Sequence, residues 1–141
     1  MGAPEPGVVL DASAIIAFLR DEPAAPRVAE LLRGERTRMS TVSAAETVDV
    51  LVRRYGWATD DVVAAVEQLH VAGVEAVTPS LDIATRAGEL RAQLFDRRTR
   101  RISLADCFVL ATAELGDRVA TGDKLLAAAA RKAGCAVVAL R

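Results

Sequence analysis

The sequence predicts an α/β domain: a central, mostly parallel sheet of about five short strands with helices on its faces. Three observations predict it. Short Val-rich runs alternate with helical periodicity along the whole chain, the pattern of strand–helix–strand units. Hydrophobic residues make up 52% of the chain and aromatics only 4%, so the core is Val, Leu, Ile and Ala, which suits buried parallel strands. With 141 residues and no linker, repeat or low-complexity tract, the chain reads as one domain, 1–141, able to bury about two thirds of its unfolded surface.

Val8-Val9-Leu10 is a short buried strand ending at Asp11. Ser13 is then placed to cap a helix, AIIAFLR, that Asp21-Glu22-Pro23 interrupts. A second helix runs from Pro26, a first-turn proline, to Gly34. Arg38 to Val42 is a weaker strand. Ser43 is read as opening the next helix, with Ala44, Val48, Leu51 and Tyr55 facing inward and Gly56 as its stop. Thr59 starts another helix, ended by Gly73, and Val74 to Val77 is a strand broken by Thr78-Pro79. Ser80 caps a long helix with the stripe Ile83, Ala87, Leu90 and Leu94. After the basic run DRRTRR, residues 96–101, comes SLADCFVLATAEL, which is apolar on every face and so reads as a buried helix over 103–115. Arg118-Val119-Ala120 is a strand, Thr121-Gly122-Asp123 a turn, Lys124 to Ala133 a helix stopped by Gly134, and Ala136 to Leu140 the last strand.

Several function classes recede on composition. A net charge of −1 and pI near 5.9 exclude bulk-charge binding of nucleic acid and leave only a local basic patch. Cys107 and Cys135 read as buried thiols, and no zinc spacing includes the single histidine, His70. MGAPEPG lacks the apolar stretch of a secretory leader, Pro6 occupies the hydroxyl position of a myristoylation signal, and no run reaches membrane length. The expectation is a soluble, cytoplasmic protein.

The chemistry lies in the acids. Asp11 ends the first strand, Glu46 sits in the first turn of the helix after the second, Asp106 lies in the first turn of the buried helix, and Asp123 follows the fourth strand. Strand carboxyl ends and helix amino ends meet at one edge of such a sheet, where ligands bind. Each acid also has a purely structural reading. Asp11 and Asp123 can cap helices, Ser103 and Asp106 can form a capping box, and Ser43-Ala44-Ala45-Glu46 has the spacing of another. Asp60, Asp61 and Asp82 are ordinary first-turn acids favoured by the helix dipole.

Two like charges at 4 Å repel by about 4 kcal/mol at an effective dielectric near 20. Four ionised carboxylates in one cleft therefore call for raised pKa values or a divalent cation. An all-carboxylate donor set favours Mg2+ or Mn2+ over zinc, and the absence of an EF-hand loop disfavours calcium. Such a site supports phosphoryl transfer. The hydroxyls of Ser13 and Thr121 could hold a water or a phosphate oxygen, or merely a cap and a turn. Arg97, Arg98, Arg100 and Arg101 precede the Asp106 helix and are candidate phosphate contacts, against the plainer reading of a solvated loop.

The ordered set VVLDASAII, SAAETVDVL, ISLADCFVLATA and VATGDKLLAAA resembles the PIN-domain nucleases, and the short single-domain length resembles their VapC-type toxins. The resemblance covers essentially the whole chain. It implies a PIN-like three-layer α/β/α fold, an acidic quartet at Asp11, Glu46, Asp106 and Asp123, and Ser13 and Thr121 as accompanying hydroxyls. It also implies a Mg2+- or Mn2+-dependent endoribonuclease, dimeric and blocked by a small cognate antitoxin. The chain departs from many relatives in having Ser43 where they carry Asn, and Lys124 and Leu125 where some carry a further acid. Two rivals stand beside this reading. A metal-dependent phosphatase or phospho-acceptor would share the plan but prefers a second Asp where Ser13 stands; a catalytically idle PIN-like binding module would lack one or more acids.

Overall fold

The computed structural model describes residues 5–140; the first four residues of the MGAPEPG segment and Arg141 lie outside them. Five strands form one sheet in the order β3-β2-β1-β4-β5, with every pairing parallel. They are β1 (Val8–Leu10), β2 (Thr37–Ser40), β3 (Glu75–Val77), β4 (Arg118–Thr121) and β5 (Ala136–Ala139). The helices are α1 (Ala12–Leu19), α2 (Ala25–Gly34), α3 (Thr41–Arg53), α4 (Thr59–Val71), α5 (Leu81–Leu94), α6 (Leu104–Thr112) and α7 (Lys124–Lys132). None of them is long and apolar enough to cross a membrane.

Alternation along the strands divides the core into two. Val8 and Leu10 point to one face, where they meet Ile15 of α1, Val28 and Leu31 of α2, and Leu69 of α4. Val9 and Val119 point to the other, against Ala87 and Leu90 of α5, Cys107 and Leu110 of α6, and Leu126 of α7. The sheet is thus covered on both sides, which is why its central strand β1 is continuously apolar. Both cysteines are free thiols, Cys107 buried and Cys135 partly so. Burial pushes the Cys107 thiol up to about 11, so it is inert.

From β1 the chain winds outward through β2 to β3, then returns to lay β4 against the opposite side of β1, with Leu10 beside Ala120. The order therefore reverses between β1 and β4, where a crevice opens at the strands' carboxyl ends.

Four local readings are corrected. Asp11, not Ser13, caps α1, accepting a hydrogen bond from the Ala14 N–H. Ser40, not Ser43, caps α3, so the second strand ends at Ser40 and the helix starts at Thr41. The face of α3 that is fully buried is Ser43, Thr47 and Leu51, which shares only Leu51 with the apolar stripe read from sequence. Two polar side chains hold it, with the Thr47 hydroxyl donating to the Ser43 carbonyl at 2.8 Å. Finally, α6 ends at Thr112, and Leu115 is fully exposed in the following loop. Its first residue, Leu104, is half-exposed too, so the helix is buried along one side and open at its amino end.

Beneath α6 the charged residue Arg38 is buried in the middle of the sheet. Its guanidinium pairs with the equally buried carboxylate of Asp117 and, at 3.0 Å, with Glu114. Asp117 also accepts from the Gly7 and Glu114 N–H groups, each at 2.8 Å. One carboxylate thereby ties the start of β1, the middle of β2 and the loop after α6 together.

Candidate active site

Asp11 is 3% exposed at the carboxyl end of β1. Its Oδ1 accepts from the Ala14 N–H at 2.8 Å and its Oδ2 from the Thr121 hydroxyl at 2.5 Å. The Ser13 hydroxyl lies 2.7 and 2.8 Å from the two carboxylate oxygens. Both hydroxyl oxygens are in turn acceptors, Ser13 from the Gly122 N–H and Thr121 from the Asp123 N–H, each at 2.9 Å. With one proton apiece, Ser13 and Thr121 direct it at Asp11 and their lone pairs at the β4–α7 turn. They orient the carboxylate rather than presenting a donor to a substrate. Gly122 lets the turn pack closely, since a Cβ there would stand 3.2 Å from the Leu140 carbonyl oxygen, a tight contact.

Asp123 caps α7, its Oδ1 accepting from the N–H groups of Leu125 at 2.8 Å and Leu126 at 3.4 Å. Asp106 completes a capping box with Ser103 at the start of α6. For these two acids the structural and functional readings hold together, since a helix amino end is also where a carboxylate is carried to the sheet edge. Glu46 differs. With α3 starting at Thr41, it sits in the second turn, is half-buried, and caps nothing. The capping-box reading of Ser43–Glu46 therefore falls, and among the described residues no hydrogen bond engages the Glu46 carboxylate.

The charges of the four acids act on one another. Burial above all, and then the charge of Asp106, raises the Asp11 carboxyl to about 6 against the hydroxyl hydrogen bonds that lower it. Glu46 is raised by burial first, then by the charges of Asp106, Asp11 and Asp123. Asp106 is raised by burial and by Asp123, against the Ser103 cap. Among the described residues, no Lys or Arg forms an ion pair with any of the four. Asp11, Glu46, Asp106 and Asp123 are thus near enough for their charges to act on one another, and none has an ion-pair partner among the described residues.

No three of them close into a ready-made cage among the described residues. The donor chemistry nonetheless fits a hard dication. Mg2+ keeps several waters and needs only one or two carboxylates, and the four acids lack any other counter-charge.

The basic run forms an ordered loop between α5 and α6. Asp96 Oδ1 accepts from the N–H groups of Arg98 and Thr99, and the Asp96 and Arg100 backbones pair. Arg100 and Arg101 each donate Nε to a carbonyl within the loop region, of Leu94 and Arg97 respectively. Arg97, Arg98 and Arg101 are exposed, and none of the four arginines has an acidic partner among the described residues. Arg91 Nε donates to the Ile102 carbonyl, which fixes the loop's return beside the Asp106 end of α6. Sequence reasoning missed Ser40, fully buried at the same strand edge; the only available signal was a serine closing a strand.

A model of the PIN domain matches residues 8–140. The chain belongs to the PIN domain family. This PIN domain has the fold of several solved structures. The VapC20 toxin of Mycobacterium tuberculosis, described as cleaving the sarcin–ricin loop, matches at 19% identity with TM-score 0.67, over 86% of this chain and 94% of that one. VapBC-1 from nontypeable Haemophilus influenzae matches at 23% identity with TM-score 0.67, over 94% and 96%. DNA-bound VapBC from Salmonella typhimurium matches at 18% identity with TM-score 0.71, over 96% and 98%. No curated protein sequence matches the chain.

Proposed function

We propose that this PIN domain is a Mg2+- or Mn2+-dependent endoribonuclease, the toxin of a toxin–antitoxin pair, and that Asp11, Glu46, Asp106 and Asp123 form its metal-binding, catalytic site. The observation that carries the reading is the gathering of four unpaired carboxylates where the strand order reverses, three of them raised by burial and by one another's charge. The likeness to structures that include a toxin described as cleaving RNA's sarcin–ricin loop supports it.

A dication bound there supplies positive charge that offsets the acids, makes water a better nucleophile and stabilises the charge that builds on the phosphate. The protein's own residues do the rest. Thr121, Ser13 and the Ala14 N–H hold Asp11 in one orientation. Glu46, whose carboxylate makes no other hydrogen bond among the described residues and is raised by burial, would serve as the proton acceptor. Arg97, Arg98 and Arg101 attract the phosphodiester backbone toward the Asp106 edge, and Arg100 contributes charge while bracing the loop. The protein works in the cytoplasm as a homodimer, restrained by a small antitoxin that occupies the same groove.

The test is incubation of the purified protein with total RNA, with Mg2+ or with EDTA. Discrete RNA fragments should appear only with the metal, and Asp106→Asn should abolish them. Cleavage by Asp106→Asn at the parent rate ends the assignment, and release of phosphate from a generic phosphomonoester with RNA left intact points to a phosphatase instead. Sedimentation at micromolar concentration tests the dimer.

A further inference from the structure

A cavity of about 410 Å3 opens directly beside the acids. One wall is formed by Ser13, Gly122 and Asp123, so the cavity adjoins the proposed site through Asp123. Ala17, Pro23 and Leu140 give it aliphatic walls, and the small residues leave room for something flat. Its volume is in the range of pockets that take small ligands, roughly 300–1,000 Å3. No Lys or Arg lines it, and two of its polar groups are the carboxylates of Glu22 and Asp123. A phosphate is repelled from such a place. A neutral planar group that donates hydrogen bonds is attracted.

Glu22 is held firmly. Its N–H donates to the Ala17 carbonyl at 2.9 Å, following Asp21 in the left-handed conformation at φ 53°. Its Oε2 is paired with Arg20, whose guanidinium carbon lies 3.6 Å from the Tyr55 ring centroid. The pairing occupies one carboxylate oxygen and leaves Oε1 without a partner among the described residues.

We infer that this cavity receives one unstacked RNA base next to the scissile phosphate, and that Glu22 selects a base bearing an exocyclic amino group. This rests on the ribonuclease reading above. Cytosine, adenine and guanine each present an amino donor that a carboxylate accepts. Uracil presents an imide N–H flanked by two carbonyl oxygens, which the Glu22 and Asp123 charges repel. Single-stranded RNA is commonly read in this way, with a base splayed out and recognised on its hydrogen-bonding edge.

The experiment measures binding by fluorescence anisotropy in EDTA, using short labelled oligocytidylate, oligoadenylate and oligouridylate. The parent protein should bind the first two about fivefold more tightly than the third. Glu22→Gln, whose amide can donate to a uracil carbonyl, should bring the three together, and Glu22→Ala should do the same by removing the acceptor. Equal binding by the parent, or a preference unchanged in both variants, overturns the inference. Cleavage of a randomised RNA in Mg2+ is measured alongside. Cleavage with unbiased binding removes the base pocket and leaves the nuclease standing; the expected preference without cleavage removes the nuclease and leaves a base-selective RNA site.

Discussion

The Thr121 hydroxyl donates to Asp11 Oδ2 at 2.5 Å, across 110 positions of sequence and between two adjacent parallel strands. That bond favours the ionised carboxylate, and burial outweighs it, leaving Asp11 at about 6 rather than the ordinary 3.8. A carboxyl raised on folding binds its proton more readily in the native than in the unfolded state. Its contribution to stability is therefore fully present below 3.8 and is lost as pH rises through about 6, amounting to at most about 3 kcal/mol. Glu46 and Asp106 are raised as well and act in the same sense. Urea melts without divalent metal should show the parent gaining stability from pH 7 down to pH 5, and Asp11→Asn should flatten that slope. Thr121→Val should cost about 1–3 kcal/mol at neutral pH, by removing the donor to Asp11 and the acceptor of the Asp123 N–H. It should also move the acid limb of RNA cleavage to higher pH. A parent protein that becomes less stable on the same acidification would falsify the burial argument.

Glu46 and Ser40 form a discriminating pair. If Ser43 and Glu46 capped α3, removing Glu46 would cost helix stability; the helix begins at Thr41 under Ser40 instead, and Glu46 only adds to a like-charged group. Glu46→Ala should leave the melting temperature unchanged or higher while lowering cleavage at least about 100-fold, as for loss of a general base. Ser40→Ala should cost about 1 kcal/mol through the lost cap. Calorimetry of the two variants separates these outcomes, and a destabilised Glu46→Ala would restore the capping role.

What could be read from sequence follows the range of the interactions. The placement of Asp11, Asp106 and Asp123 at a strand end or a helix start is legible because neighbouring residues carry that pattern. The start of α3 is not, because Ser43-Ala44-Ala45-Glu46 has capping-box spacing whereas the Ser40 cap leaves no such mark. The buried face of Ser43 and Thr47 was hidden for a related reason: its polarity is satisfied inside the helix by a bond that spacing does not reveal. Arg38 made its strand look weak, and the partner that permits a buried guanidinium there is Asp117, 79 positions away. The cavity beside Asp123 needs the α1–α2 turn, the β4–α7 turn and the end of β5 at once.

The Arg38–Asp117 pair should be a stability element separable from catalysis. Removing one partner of a buried pair commonly costs about 3–5 kcal/mol, because a charge is stranded. Asp117→Ala leaves the Arg38 guanidinium with only Glu114 and the Thr112 carbonyl, and strands two N–H groups, of Gly7 and Glu114. Arg38→Met leaves Asp117 still accepting from both N–H groups, so it should be the milder change, at about half that cost. Chemical denaturation should rank Asp117→Ala below Arg38→Met and both below the parent. The reverse order would show that the guanidinium, not the carboxylate, is the centre of the cluster.

The 96–101 loop gives a prediction in salt rather than in stability. Arg97, Arg98 and Arg101 are exposed and unpaired among the described residues, whereas Arg100 is partly buried with its Nε on the Leu94 carbonyl. A side chain that contacts a phosphate displaces a counterion, so each such arginine lost should lower the slope of log affinity against log salt by about 0.7 for a single strand. Arg97→Gln and Arg98→Gln should each weaken RNA binding in EDTA to a similar degree for every base composition, and leave the melting temperature unaltered. Arg100→Gln should lower the melting temperature as well, since it also frees the Leu94 carbonyl. Titrations at several salt concentrations decide the matter: slopes that stay at the parent value in both exposed variants would mean that the loop is solvated and that the RNA backbone approaches the acids from another side.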